Sequence, residues 1–196
     1  MHNVPGRMNS QQTLEFLQDA KEGNRSAFAA IVRSHQHLAY GAAYRLLLDV
    51  HEAEDVVQET FVRIWRNLYR YDPAKAFTTW MYSIVMNLCR DRLRERRRRP
   101  SQALEPSEME HLPGAQASGV GAEEWELAGI IGRLAEQLPL KQRLVFTLRD
   151  LQDLSVEEVA SVVGISAASV KTNLHHARRK LRGLLAREYK ITGVDS

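Results

Sequence analysis

The stretch Leu154–Leu185, LSVEEVASVVGISAASVKTNLHHARRKLRGLL, constrains this chain more than any other. It reads as two helices around a tight turn. Ser155 can cap a first helix, and Glu158, three residues on, completes a capping box. Gly164 stands where that helix must stop, because glycine takes a left-handed backbone at little cost. Ser166 can cap a second helix. Along it Val170, Leu174, Ala177, Leu181 and Leu184 recur at steps of three and four, which predicts one apolar stripe. The opposite side carries Ala168, Ser169, Thr172, His175, His176 and Arg179. Small hydrogen-bonding residues come first and cations later, an order that suits a helix entering the major groove by its N-terminus. Sequence-specific DNA binding is the leading reading. A helix pair packed on another protein, its charges merely solvated, fits the same spacing.

The charge distribution adds weight to nucleic acid. Residues 1–99 hold 16 Lys and Arg against 11 Asp and Glu, residues 100–126 none against 6, and residues 127–196 11 against 7. Two basic blocks flanking an acidic one suggest two contacts with a polyanion. The acidic segment includes Pro100, Pro106, Pro113, Gly114, Gly119 and Gly121 and carries no helical or strand period, so it reads as a flexible linker over 100–122. It would divide an N-terminal domain, 12–99, from a C-terminal one, 123–190. Apolar periodicity predicts helices over Thr13–Lys21, Ser26–Leu48 with Ser26 as cap, His51–Tyr69, Phe77–Arg99, Glu123–Leu138 and Leu140–Leu151. β-branched alternation is absent, so the expected fold class is all-α: two small helical domains, the second containing the helix–turn–helix.

Other functions are disfavoured. No apolar run approaches the ~20 residues that span a bilayer, so no direct membrane insertion is expected. The start, MHNVPGRMNSQQ, lacks the apolar core of a secretory signal. A single cysteine, Cys89, excludes an intramolecular disulfide and any Cys-rich zinc site, which makes a reducing cytoplasm the expected setting. The histidines lack zinc spacing. No Ser/His/Asp set, carboxylate pair or Gly-rich phosphate loop stands out. The expectation is no catalytic residue, metal, cofactor or small-molecule substrate.

Two further helices carry candidate surfaces. In the helix from Thr79 to Arg94, Met81, Val85, Leu88 and Cys89 share one side, while Trp80, Ser83, Asn87, Arg90, Asp91 and Arg94 share the other. A tryptophan among polar and cationic groups can stack on a base while its neighbours reach base edges and phosphates. Alternatively, Trp80 packs beneath the preceding loop. Residues 90–99 then hold seven arginines, a density that suits phosphate contact. On His51–Tyr69, the residues Val57, Phe61, Ile64, Trp65 and Leu68 form the expected buried stripe. The outward stripe is Asp55, Gln58, Glu59 and Val62, backed by Glu52. Phosphates would be repelled there. The stripe is either an ordinary solvated face or a docking face for a basic protein helix.

Together these residues resemble the extracytoplasmic-function group of bacterial sigma factors, the small two-domain members of the sigma-70 family. DVVQETFVRIWRNL at 55–68 is similar to the region 2.2 helix that docks on the largest polymerase subunit. FTTWMYSIVMNLCRDRLRERRRR at 77–99 is similar to regions 2.3 and 2.4. LPLKQRLVFTLRDLQDLSVEEVA at 138–160 and GISAASVKTNLHHARRKLR at 164–182 are similar to region 4 and its recognition helix. The four segments stand in the family order and spacing.

The resemblance implies partners: core RNA polymerase, promoter DNA and an anti-sigma factor. It makes Asp55, Gln58, Glu59 and Val62 the polymerase-binding face. It assigns −10 element capture to Asp72, Lys75 and Phe77, around the loop Tyr71–Ala76, with Trp80, Asn87, Arg90, Asp91 and Arg94 along the following helix. It assigns −35 element reading to Ser169, Lys171, Thr172, His175, His176 and Arg179. Asn173 and the two histidines stand where arginines are frequent in the family, which leaves the base preference open. Two other readings compete: a sigma-like decoy that sequesters an anti-sigma factor, and a helix–turn–helix regulator independent of polymerase. The arginine run counts against the first, and the missing dimerisation repeat against the second.

Overall fold

Local capping sets where the helices begin. In α1 (Ser10–Lys21) the Asn9 side chain accepts from the Gln12 N–H at 2.8 Å while the Gln12 side chain accepts from the Asn9 N–H at 3.1 Å, a reciprocal pair that satisfies two otherwise unpaired donors. α2 (Arg25–Leu47) is capped by Asn24, whose Oδ1 accepts from the Ala27 N–H. The expected cap, Ser26, lies inside the first turn instead. Asn24 takes the role because it directly follows Gly23, at φ +94°, where the chain reverses. Asp49 caps α3 (Val50–Arg66) through the Glu52 N–H.

The helix expected over 51–69 stops early. Asn67 donates its side-chain amide to the Arg63 carbonyl, and Leu68–Arg70 form a separate 3₁₀ turn. α4 (Phe77–Arg98) follows the loop and begins at the expected residue.

The second cluster comprises α5 (Ala122–Glu136), α6 (Leu140–Asp150), α7 (Val156–Val163) and α8 (Ala167–Glu188). Its start and stop signals act as the sequence reading expects. Pro139 precedes α6. Ser155 and Glu158 close the capping box of α7, and Gly164 ends that helix at φ +74°. Ser166 accepts from the Ser169 N–H at the start of α8.

The computed structural model describes residues 8–98 and 122–188, with side chains from 129 to 187 in the second stretch, and these residues form helices without a strand. The linker expected over 100–122 lies, up to residue 121, outside the described residues.

α2 is the central strut of the first cluster and packs against α1, α3 and α4. Leu17, Ile31, Leu46, Val56, Ile64 and Met81 are wholly buried there. Each such side chain contributes ~1.5–3 kcal/mol relative to exposure. In the second cluster α8 packs on α6 and α7, burying Val145, Leu148, Val159, Val170 and Ala177. One residue departs from the expected buried stripe of α3. Trp65 is 37% exposed, its ring resting 4.8 Å from that of Phe28 at the rim of the core. The two clusters also touch: α4 meets α7, and α2 meets α5 and α6.

Candidate nucleic-acid and protein interfaces

α3 presents its polar stripe as the sequence reading expects. Asp55 and Gln58 are exposed, Val62 is exposed, and Glu59 is half-buried. Arg63 donates to Glu59 at 2.7 Å, one turn along, and Arg92 of α4 approaches Asp55 at 3.9 Å. Sequence reasoning missed what lies beside the carboxylates. Trp65 and Tyr69, the latter 71% exposed, extend Val62 into an apolar run. The break at Asn67 was the available signal, because it takes Tyr69 out of the helical period. A face that combines carboxylates with exposed aromatic surface repels phosphate and suits a basic amphipathic protein helix.

The loop Tyr71–Ala76 is tied at both ends. Lys21 of α1 donates to the Tyr71 carbonyl at 3.3 Å and stands over its ring. The Tyr71 hydroxyl donates to the Lys75 carbonyl at 2.7 Å. Burial, reinforced by Asp72, pushes this phenol above its ordinary value, so it keeps its proton. Asp72 accepts from the Ala74 N–H at the loop tip, and Asp72 and Lys75 are exposed.

Phe77, expected among the base-contacting residues, is buried. Its ring meets those of His35, Tyr71 and Trp80 edge-on at 4.9, 6.0 and 6.2 Å. It supports the loop from beneath instead of presenting a face to a ligand. Trp80 is half-buried and leans on Tyr71, with ring centroids 5.3 Å apart. Packing against the preceding loop, the alternative reading of this residue, is therefore what the structure contains. Beyond it Asn87, Asp91 and Arg94 are exposed and Arg90 half-buried.

The arginine run is not all available to phosphate. Arg96 lies 3.0 Å from Glu52 and 3.5 Å from Asp49, and donates to the Leu47 carbonyl at 2.8 Å. It fastens the end of α4 to the junction of α2 and α3, where the C-terminal carbonyls of one helix and the N-terminal carboxylates of the next both attract a cation.

On α8, Lys171, Thr172, His175, His176 and Arg179 are exposed and Ser169 is half-buried. The Thr172 hydroxyl donates to the Ala168 carbonyl, and Asn173 donates to the Ser169 carbonyl at 2.7 Å. The His175 and His176 rings lie edge to face at 5.7 Å. Two other cations hold the helix in place. Arg178 makes a bidentate pair with Asp150 at 2.6 and 2.8 Å, and Lys180 donates to the Gln137 carbonyl. Arg178 and Lys180 stand on opposite flanks of the outward residues, each held by a partner from α6 or the turn before it.

Among the described residues no group of three His, Cys, Asp or Glu is placed to hold a metal ion. Burial pushes the Cys89 thiol up to about 12, so it stays protonated at neutral pH.

Comparison with known proteins agrees with this arrangement. The model of Sigma-70 region 2 matches residues 31–99, and that of Sigma-70 region 4 matches residues 128–181. The ECF RNA polymerase sigma factor SigW of Bacillus subtilis is 35% identical over 176 residues, covering 85% of this chain and 92% of that protein. The structure of CnrH in complex with the cytosolic domain of CnrY superposes with a TM-score of 0.69 at 27% identity, over 90% of this chain and 99% of that one. The sigma factor RpoE bound to the anti-sigma factor NepR from Bartonella quintana shares the fold, with a TM-score of 0.58 at 19% identity, over 81% of this chain and 94% of that one.

One expectation is corrected here. Relatives of this fold are held by other proteins, one of them by the cytosolic domain of CnrY, so the unqualified expectation of a cytoplasmic protein does not stand. What stands is that, among the described residues, no helix is long and apolar enough to cross a membrane. With both sigma-70 regions matched in order and a full-length relative more than 30% identical, the chain belongs to the extracytoplasmic-function RNA polymerase sigma factors.

Proposed function

We propose that this sigma factor docks on core RNA polymerase through the outward stripe of α3 and reads a promoter with two separate helices. Asp55, Gln58, Glu59 and Val62 form the polymerase-binding face, with Trp65 and Tyr69 adding apolar area. Asp72 and Lys75 at the loop, and Trp80, Asn87, Arg90, Asp91 and Arg94 on α4, take the −10 element. Phe77 serves as the loop's support. Ser169, Lys171, Thr172, His175, His176 and Arg179 on α8 take the −35 element as duplex. The working units are a domain over 12–99 and a domain over 123–190, joined by 100–122. An anti-sigma factor is the expected regulator, as in the complexes of the related proteins.

The chain is not itself an enzyme; it directs one. Its chemistry is an exchange of contacts. Unstacking a base costs a few kcal/mol, and stacking on an aromatic side chain returns ~1–3 kcal/mol, with polymerase contacts supplying the rest.

The observation that carries this reading is where the outward residues lie: Asp55, Gln58, Glu59 and Val62 on α3, Asn87, Arg90 and Arg94 on α4, and Lys171, Thr172 and Arg179 on α8. Run-off transcription with core polymerase and a promoter library tests it. Initiation is expected only when the protein is present, and charge reversal at Asp55 and Glu59 should abolish it while duplex binding persists. Initiation that survives both reversals would remove α3 from the polymerase interface.

A further inference from the structure

In the first turns of α8 the polar side chains have their donors committed to the helix itself. Ser166 accepts from the Ser169 N–H at 3.2 Å, which caps the helix start from within the chain. The Thr172 hydroxyl donates to the Ala168 carbonyl at 3.1 Å. The half-buried Asn173 donates to the Ser169 carbonyl at 2.7 Å and to the Ser169 hydroxyl at 3.3 Å. These two bonds occupy both N–H groups of its amide. Asparagine is one of the two side chains matched to adenine, because its amide can pair with N6 and N7 together. That pairing needs an amide hydrogen which Asn173 has already placed on Ser169.

What these turns offer outward is methyl groups. Ala168 and Thr172 are both exposed and stand one helical turn apart on the same side. Ala168 has only its Cβ to present. The Thr172 hydroxyl is tied to the carbonyl four residues back, which leaves the Cγ2 methyl as the group free to meet a ligand. Its oxygen retains a lone pair, so it can accept but not donate. In the major groove an outward methyl has a natural counterpart in the 5-methyl group of thymine, which no other base of the four carries. Along the helix axis Ala168 and Thr172 are about 6 Å apart. Base steps are about 3.4 Å, so the two residues reach thymines one or two steps apart.

We propose that α8 recognises thymine by its 5-methyl group, through Ala168 and Thr172, so that the −35 element of this sigma factor carries thymines one or two steps apart beneath them. This rests on the duplex-reading role given to α8 above, and it names the base which that role leaves open. Dispersion contact falls away within an ångström, so a shift by one base step loses it. The methyl pair therefore sets the register of α8 in the groove as well as the base preferred. Asn173 acts through Ser169 as a positioning residue and reads no base.

Deoxyuridine tests the proposal, because it differs from thymidine only by that methyl group. The full chain, assembled with core polymerase, is titrated on promoter fragments selected by run-off transcription, with each −35 thymine replaced in turn by deoxyuridine. Binding should weaken about fourfold at the thymines beneath Ala168 and Thr172, the effect of removing one buried methyl each, and change little at other thymines. Indifference to uridine at every position would overturn the proposal, as would selected −35 elements without thymine.

Two substitutions at one exposed position separate methyl from hydroxyl. Thr172→Val keeps a methyl and removes the hydroxyl, and should retain the uridine penalty. Thr172→Ser keeps the hydroxyl and removes the methyl. Thymine and uridine should then bind equally at its position, while the penalty at the neighbouring thymine persists. The reverse pattern, with valine losing the preference and serine keeping it, would assign the readout to the hydroxyl and overturn the proposal. Asn173→Ala should leave the base preference as it is, and a changed preference would place its amide on a base. If the sigma reading itself failed, the fragments would stay silent with every thymine in place. If only this inference failed, they would be transcribed and indifferent to uridine.

Discussion

α4 and α8 are both 22 residues long, and each carries six lysines or arginines. They use them differently. In α4 the cations that reach other helices, Arg92 and Arg96, run back to Asp55 and to the α2–α3 junction, on the cluster's own carboxylates and carbonyls. In α8 Arg178 and Lys180, on opposite flanks, are tied to Asp150 and to the Gln137 carbonyl, while Lys171 and Arg179 are exposed. Charge density along a sequence therefore overstates the charge offered to a ligand. What decides is whether a neighbouring element offers a carboxylate or a carbonyl within the cation's reach.

The sharpest way to break this comparison is within the arginine run. Arg96→Ala should lower stability by ~2–3 kcal/mol in urea denaturation, because it removes charged hydrogen bonds and strands a half-buried Glu52. Arg97→Ala, exposed one residue on, should stay within about 0.5 kcal/mol. Equal losses at both positions would mean the run acts as an undifferentiated charge. On α8 the contrast inverts. Arg179→Ala should leave the melting temperature unchanged and weaken duplex binding by ~1–3 kcal/mol in a titration at fixed salt. Arg178→Ala should cost stability by ~0.5–1 kcal/mol, since its partner pair is partly exposed, and change DNA affinity less.

How much of this was legible follows from how far each signal reaches along the chain. Ser155, Glu158, Gly164 and Ser166 were readable because a cap or a left-handed turn is a requirement of four or five adjacent residues. The stripe Val170, Leu174, Ala177 and Leu181 was readable because a helix repeats its face. For Trp80 the packing beneath the loop was one of two readings left open, because periodicity assigns a side of α4 but not what covers it; the burial of Phe77 was not foreseen by the resemblance that placed it at a base, because its cover is the loop at Tyr71. Arg143 gave no warning at all. It sits in LKQRLVFTL as an ordinary helix former, and its partners, the carbonyls of Leu46 and Arg45, are 97 and 98 residues away. The hydrogen bond that the Tyr82 hydroxyl donates to Gln152, 70 residues on, was hidden for the same reason.

The smallest effect concerns the cap that joins the two clusters. Burial pulls the Glu158 carboxyl upward, but hydrogen bonds from the Ser155 backbone and side chain and from Thr79 outweigh it and hold the pKa below the usual value. A depressed folded value contributes stability above the unfolded pKa, and the contribution is lost as pH falls through the folded one. Glu158→Gln keeps an acceptor for the Ser155 N–H and has no proton to gain. Its acid unfolding curve should therefore be flatter than the parent's, with near-equal stability at neutral pH. Parallel curves would show that the carboxylate is not coupled to folding.

The loop between the 3₁₀ turn and α4 has a consequence in entropy. Tyr71 is held from α1 by Lys21, and its own hydroxyl reaches forward to the Lys75 carbonyl, so a single side chain fastens both ends of a short exposed segment. Ordering a backbone residue costs ~1–2 kcal/mol, and here that cost is met during folding. A ligand that arrives at Asp72–Lys75 surrenders its own freedom but takes little from the protein. If the loop takes a base as proposed, its selectivity is expressed as shape already in place, and loosening Tyr71 is expected to weaken binding without removing any group that touches the ligand.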